Sequence, residues 1–226
     1  MTVWLTRIVP DPRSGDARRD TAGTEGAIHL HRRLMSLYPP DIGPDARAGL
    51  GVLFRLEDTP TGSHILLQST HQPDLAKLPT AYGTADTRTL DPLLDALRPG
   101  LPIRYRCVAS AVRKPGATTR ALYNLPPVVA LSGAAADEWW TRQATTAGLT
   151  PHTLHSAPLD AVQGQRGRHG PAAEQRVRHA RTRFDGTATI TDPDLLRTKI
   201  TEGVGRGKSY GCGLLSVAPA PPSSRA

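Results

Sequence analysis

The chain has 226 residues, room for one large domain or two small ones, each with its own core. Apolar residues make up 38% and aromatics only 4%, with 21 glycines and 21 prolines, yet apolar runs recur to about residue 217 and argue against wholesale disorder. Lys and Arg number 28 against 20 acids, a formal charge of +8 that points to a polyanionic partner.

The surplus is arginine, since lysines stand only at Lys77, Lys114, Lys199 and Lys208. Arginine offers a planar fork for phosphate and guanine edges, although GC-rich coding would also enrich it. No stretch comes near the ~18 unbroken apolar residues of a membrane span. The opening Met1-Thr2-Val3-Trp4-Leu5-Thr6-Arg7 has no long apolar core of a secretory signal. Cys107 and Cys212 are too few for a disulfide scaffold or a four-thiolate zinc site. A cytoplasmic protein is the plain expectation.

In chain order, residues 3–9 alternate and predict a strand, and residues 11–24 form a polar stretch. Leu30, Leu34 and Leu37 predict a helix over 26–38, stopped by Pro39-Pro40. Residues 51–57 and 64–69 read as two strands of a hairpin, 91–97 as a short helix and 103–112 as a long strand. Strand, helix, strand, strand, helix, strand is the split βαβ pattern of a ferredoxin-like domain. Residues 1–115 are therefore expected to form a first domain and 116–127 a linker. A second domain over 128–219 repeats the strand–helix logic without detectable sequence repetition. It has a helix over 135–147 with Trp139 and Trp140, and two extended segments flanking an arginine-rich stretch. A helix opened by Asp192-Pro193-Asp194, a glycine loop over 203–213 and a closing strand over 214–217 complete it. Residues 220–226 are expected to be a disordered tail.

Three constellations could carry chemistry. Gly207-Lys208-Ser209 invites a P-loop reading, but Glu202 stands where that motif needs its first glycine, and the loop follows a helix instead of a strand. What the loop can do is bring backbone N–H groups to phosphates, with Arg206 and Lys208 supplying charge. Residues 163–183 hold Arg166, Arg168, Arg176, Arg178, Arg181 and Arg183 against one acid, Glu174. A hairpin with arginines on both arms fits a nucleic-acid groove; the bland alternative is a solvated strand edge that discourages aggregation. The histidines come last. His152 and His155 have no carboxylate or cysteine beside them, so no metal site is expected. His29 and His31 point about 200° apart on a helix, and His31 falls at the edge of the buried stripe, beside Tyr38 and Met35. That position shields an imidazole whose pKa lies near working pH while leaving it reachable.

Together these residues resemble the CasE family, the CRISPR repeat-processing endoribonucleases of type I-E systems. The likeness runs through Trp4-Leu5-Thr6-Arg7, Ala17-Arg18-Arg19-Asp20 and Leu30-His31-Arg32 with Leu34. It closes on Gly203-Val204-Gly205-Arg206-Gly207-Lys208 and Gly213-Leu214-Leu215-Ser216-Val217-Ala218-Pro219. The resemblance implies an α+β fold of two tandem ferredoxin-like (RRM-like) βαββαβ domains and a CRISPR precursor RNA repeat hairpin as substrate. It also implies metal-independent cleavage without a cofactor at the hairpin's 3′ base, and retention of the guide RNA among the other Cascade subunits. A monomer is expected when free. The family's catalytic histidine matches His31, with Arg32 beside it, and its basic hairpin matches Arg166, Arg168, Arg176 and Arg178. Arg18, Arg19, Gly205, Arg206, Gly207, Lys208 and Ser209 are the remaining expected RNA contacts. Where some relatives carry a tyrosine three positions before the histidine, this chain has Ile28, so Tyr38 or a basic group must substitute, or His31 works with less help.

On this reading the RNA's own 2′-OH is the nucleophile. His31 takes its proton or delivers one to the departing 5′-oxygen, while Arg32, Lys208 or another cation stabilises the phosphorane. A non-catalytic RNA-binding module or a purely structural subunit is the alternative. The poor aromatic supply favours recognition of stem and backbone over the base stacking usual in RRMs.

Overall fold

The computed structural model describes residues 2–23, 26–40, 43, 45–60, 62–166 and 175–220, and the side chains of all these except 164–166 and 175–178. The elements in chain order begin with β1 (Trp4–Pro10), α1 (Gly15–Thr21), α2 (Gly26–Met35), α3 (Ala46–Gly49), β2 (Leu53–Thr59) and β3 (Gly62–Ser69). A 3₁₀ turn (Leu75–Lys77), β4 (Gly83–Thr89) and α4 (Asp91–Asp95) follow, then β5 (Pro102–Ala109), β6 (Val112–Arg113), α5 (Ala117–Leu122) and β7 (Val129–Ala130). The chain continues through α6 (Ala134–Thr146), β8 (Leu149–Arg166), β9 (Gln175–Ile190), α7 (Pro193–Glu202), a second 3₁₀ turn (Lys208–Tyr210) and β10 (Leu215–Pro219).

Two four-stranded antiparallel sheets organise these elements, ordered β2-β3-β1-β4 and β10-β5-β9-β8. Within each, the first and third strands are central and the second and fourth lie at the edges, the ferredoxin-like arrangement. The tandem fold expected from the sequence is present. One departure is that the 3₁₀ turn at Leu75–Lys77 takes the place of a second helix in the first unit.

One strand belongs elsewhere than expected. Residues 103–112 were expected to close the first sheet, but β5 pairs with β9 and β10, and the closing strand of the first sheet is β4. The sheets thus part between Thr89 and Pro102, ahead of residue 115. The reason lies in Gly-Thr-Ala-Asp-Thr-Arg-Thr: an edge strand mostly facing water has no aliphatic alternation to read. The polar stretch over 11–24 likewise contains α1, capped by the Ser14 side chain, and the segment read as a linker contains α5. The final strand runs on to Pro219, and residues 221–226 lie outside the described residues.

Each sheet carries its own core. In the first, Leu30 and Leu34 of α2 meet Ile8, Phe54, Ile65 and Leu67. In the second, Trp140 stacks on Phe184 with ring centroids 4.9 Å apart, over Ile103, Cys107 and Leu196. Between the two cores lies a buried cation. Arg55, 2% exposed on β2, donates to the carbonyls of Leu214 (3.0 Å) and Arg106 (3.3 Å) and to Ser216 Oγ (3.0 Å). Its Nε donates to Glu57 at 2.8 Å, so the charge is compensated where it is desolvated. Gln68 Nε2 adds a 2.7 Å bond to the Ile200 carbonyl. These contacts hold the strand entering from the glycine loop against β2, and so fix the loop relative to α2.

Candidate functional site

α2 forms because residues 26–35 put Leu30 and Leu34 on one face, and both are buried. His31 stands at the margin of that face, half-buried, its ring parallel to Phe54 at 6.2 Å between centroids and 19° between planes. Its Nδ1 is buried and meets no hydrogen-bond partner among the described residues, which leaves Nε2 as the nitrogen a ligand can reach. Burial foremost, then the charges of Arg47 and Arg32, push the imidazole pKa down to about 4. His31 is therefore neutral at physiological pH.

Across from it lies the glycine loop. Gly203, Gly205, Gly207, Gly211 and Gly213 all have positive φ, a conformation costly for other residues. Space is short as well: a Cβ on Gly213 would lie 2.8 Å from the Val204 carbonyl oxygen, one on Gly203 would lie 2.8 Å from Leu53 Cδ2, and one on Gly211 would meet Phe54 Cε2 at 3.3 Å. The second 3₁₀ turn is thereby pressed onto the ring that supports His31.

A groove of about 320 Å³ opens here, lined by Arg47, His179 and residues 205–210. His31 stands just outside this lining, near enough to Arg47 for that guanidinium to act on its pKa. Burial and Arg47 also lower the pKa of Lys208, the mark of cations crowded together. Arg206 is exposed and, after burial, lowers the pKa of His179, whose ring stacks on Tyr210 at 4.6 Å. The larger cavity of about 820 Å³ between the two units shares Arg47 and Lys208 with the groove.

Of the residues singled out from the sequence, the fold brings His31, Arg32, Gly205, Arg206, Gly207, Lys208 and Ser209 into one neighbourhood. Arg18 and Arg19 do not line the groove. Both are exposed on α1, where Arg19 pairs with Asp16 at 2.6 Å. Asp20, 2% exposed, receives Arg33 at 2.7 Å and so ties α1 to α2, a structural task inside the Ala-Arg-Arg-Asp motif. On the hairpin, Arg166 stands opposite Gln175, Arg176 opposite Gln165 and Arg178 opposite Gln163; Arg168 lies outside the described residues. Tyr38 sits in the core beneath α2, its hydroxyl pushed up to about 12 by burial, which leaves a basic group, or His31 working with less help, as the alternatives raised by Ile28.

Arg47, His179 and Tyr210 were not singled out from the sequence. Arg47 sits on a four-residue helix in a glycine- and proline-rich stretch, where no periodicity marks it.

Comparison with known proteins places the chain. Residues 3–219 match the family model for CRISPR associated protein. The chain belongs to this family. It is 28% identical over 228 residues to the CRISPR-associated endoribonuclease Cse3 of Thermus thermophilus, covering 96% of this chain and all of that one. With the CRISPR system Cascade subunit CasE of Escherichia coli it shares 27% over 210 residues, 88% of this chain and 94% of the relative. A structure of Cse3 bound to 19 nt RNA superposes with a TM-score of 0.76 at 28% identity, over 97% of this chain and all of that chain. A chain of a CRISPR RNA-guided surveillance complex does so with a TM-score of 0.65 at 35% identity, over 96% of this chain and all of that one. The resemblance to the CasE family and the tandem ferredoxin-like fold are both borne out. No helix among the described residues is long and apolar enough to cross a membrane.

Proposed function

We propose that this protein is an endoribonuclease that cuts CRISPR precursor RNA at the 3′ base of the repeat hairpin and remains on the guide RNA as a Cascade subunit. Relatives of nearly full coverage support the class: one named an endoribonuclease, one named a Cascade subunit, and one solved with RNA representing a pre-cleavage complex.

The observation that carries the reading is the neutral imidazole of His31 beside a glycine loop with its cations. A base must be unprotonated to accept the 2′-OH proton, and His31 is. The 2′-oxygen then attacks the adjacent phosphorus, the bond to the 5′-oxygen breaks, and that oxygen takes a proton from the His31 imidazolium or from water, leaving a 2′,3′-cyclic phosphate and a 5′-hydroxyl. The nucleophile comes from the RNA, so the step asks for no metal. Negative charge gathered on the phosphorane faces Arg32, Arg47, Arg206 and Lys208, the cations around His31 and the groove. Phosphate beside His31 also offsets the positive charge the ring gains with the proton, which raises its pKa in the complex. Gly205, Gly207 and Ser209 present backbone to the strand near the cut, while Arg166, Arg168, Arg176 and Arg178 on the hairpin grip the stem. Arg18 and Arg19 contact phosphates farther along.

Repeat RNA incubated with the protein in EDTA tests this. One cut is expected, with cyclic phosphate and 5′-hydroxyl ends. A 2′-deoxy nucleotide at the scissile position should abolish cutting and leave binding intact. Cleavage of that deoxy substrate, or 5′-phosphate ends, would refute the mechanism; binding without any cut would favour the structural-subunit alternative.

A further inference from the structure

The segment joining β5 to α6, residues 110–133, contains Arg113, Lys114 and Arg120 and no Asp or Glu. Its helix, α5, buries none of its residues. Leu122 and Tyr123, 72% and 67% exposed, are the most exposed large apolar side chains among the described residues. Six-residue helices are marginal in water unless something packs on them, and adjacent bare Leu and Tyr side chains add to the cost. Asn124 follows with φ +47°, turning the chain sharply after the pair.

The segment is anchored next to the site. Ser110 forms a β-bridge with Arg206, and Val112 and Ala130 of the β6–β7 ribbon, with Val128 just before β7, enclose a pocket of about 140 Å³ together with His179 and Arg206. The β6–β7 ribbon from which α5 projects thus adjoins the cationic groove, sharing His179 and Arg206 with it.

We infer that α5 and its flanks bind single-stranded RNA leaving the repeat hairpin, a base stacking on Tyr123 while Arg113, Lys114 and Arg120 meet phosphates. Three cations without an acid favour RNA over a protein partner, and a flat aromatic ring beside an apolar leucine is what an unstacked base requires. The inference rests on the repeat-RNA reading above and adds to it a second contact zone, directed at the flank and not the stem.

Binding of three uncleavable RNAs, each 2′-deoxy at the scissile nucleotide where it has one, separates the two readings. One is a blunt repeat hairpin, one carries a single-stranded 5′ flank and one a 3′ flank. Tyr123→Ala should weaken one flanked RNA about tenfold and leave the blunt hairpin within about twofold, while Tyr123→Phe binds like wild type. Replacing Arg113, Lys114 and Arg120 by alanine should flatten the salt dependence for that flanked RNA by about two in log–log slope. Circular dichroism should be unchanged, because every altered side chain is exposed. Wild type binding all three RNAs with Tyr123→Ala no different would overturn this inference alone, and would leave α5 to a protein partner. Wild type binding none would overturn both readings.

Discussion

The imidazole of His31 stacks on the ring of Phe54, and the Cε2 edge of that ring lies against Gly211 of the glycine loop. One benzene ring therefore couples the helix that carries His31 to the glycine loop, the two parts to which the proposed mechanism assigns the base and the phosphate contact. Arg55, the next residue on β2, reaches across to the carbonyl of Leu214 and fixes the strand that leaves the loop. Geometry at the site is set by the joint between two ferredoxin-like units, not by either alone, and such preorganisation is what a reaction with an internal nucleophile needs.

Burial of His31 makes stability depend on pH and, on the catalytic role proposed for it, the rate as well. Its folded pKa of about 4 lies below the ordinary 6.5, so between those values the unfolded chain binds the extra proton and the folded one does not. The contribution is complete above pH 6.5 and is lost as pH falls toward 4, by on the order of 3 kcal/mol. Urea unfolding across this window should show that slope for wild type and a shallower one for His31→Gln. The kcat/KM of the wild type should stay level down to about pH 5 and fall near pH 4, where free His31 protonates.

Gly211 offers a sharper probe of the Phe54 coupling. Alanine there must adopt φ +76° and press on Phe54, whereas alanine at Gly100 must adopt φ +80° with nothing within 4 Å. Both variants should lose about 1–2 kcal/mol in urea unfolding from backbone strain. Only Gly211→Ala should also lower single-turnover cleavage, by about tenfold, since a displaced ring moves the base off line. Equal rates in the two variants would mean that the ring contact does not position His31.

Much of this was legible in the residues. Leu30, Leu34 and the Pro39-Pro40 stop gave α2 and put His31 at its buried margin, and the glycines at 203–213 marked a loop whose backbone only glycine tolerates cheaply. Asp192 caps α7 through the N–H groups of Asp194 and Leu195, as its sequence suggested. Hidden elements were those stabilised by tertiary contact alone. β4 is a mostly exposed edge strand whose one aliphatic side chain is Ala85, and α1 is held by Ser14 and the buried Asp20–Arg33 pair, neither of which leaves a periodic signature. Arg47 reaches the site from a helix too short to show a pattern. The two-unit clamp was invisible for the same reason: an arginine inside a strand reads as a surface residue until its four acceptors are seen.

Arg55 should be among the costliest positions outside the site. Arg55→Ala leaves Glu57 without its main partner and strands the Leu214 and Arg106 carbonyls, and losses of about 3–5 kcal/mol are usual when one member of a buried ion pair is removed. Arg55→Met keeps the volume and should recover part of that, because a well-packed apolar side chain removes the buried charge altogether. Urea midpoints distinguish the two. If Arg55→Ala unfolded at the wild-type midpoint, the clamp would not be holding the units together.

Arg47 is the residue on which the electrostatic account is most exposed. It depresses the pKa of both His31 and Lys208, and it lines the groove from the first unit while Lys208 lines it from the second. Arg47→Gln removes a positive charge but leaves the burial, so the imidazole pKa rises part of the way from about 4 toward its ordinary value and the acid limb of kcat/KM moves to higher pH. The same change takes a cation from the phosphorane, and cleavage at pH 7.5 should slow by about tenfold to a hundredfold. Arg47 also donates to the Val52 carbonyl at 3.0 Å, so Arg47→Lys serves as the check on structure: it keeps the charge and should hold the acid limb in place even if that bond weakens. A slowed Arg47→Gln enzyme whose acid limb has not moved would show that the field of the guanidinium does not reach His31, and would leave the slowing to the phosphorane or to the Val52 bond.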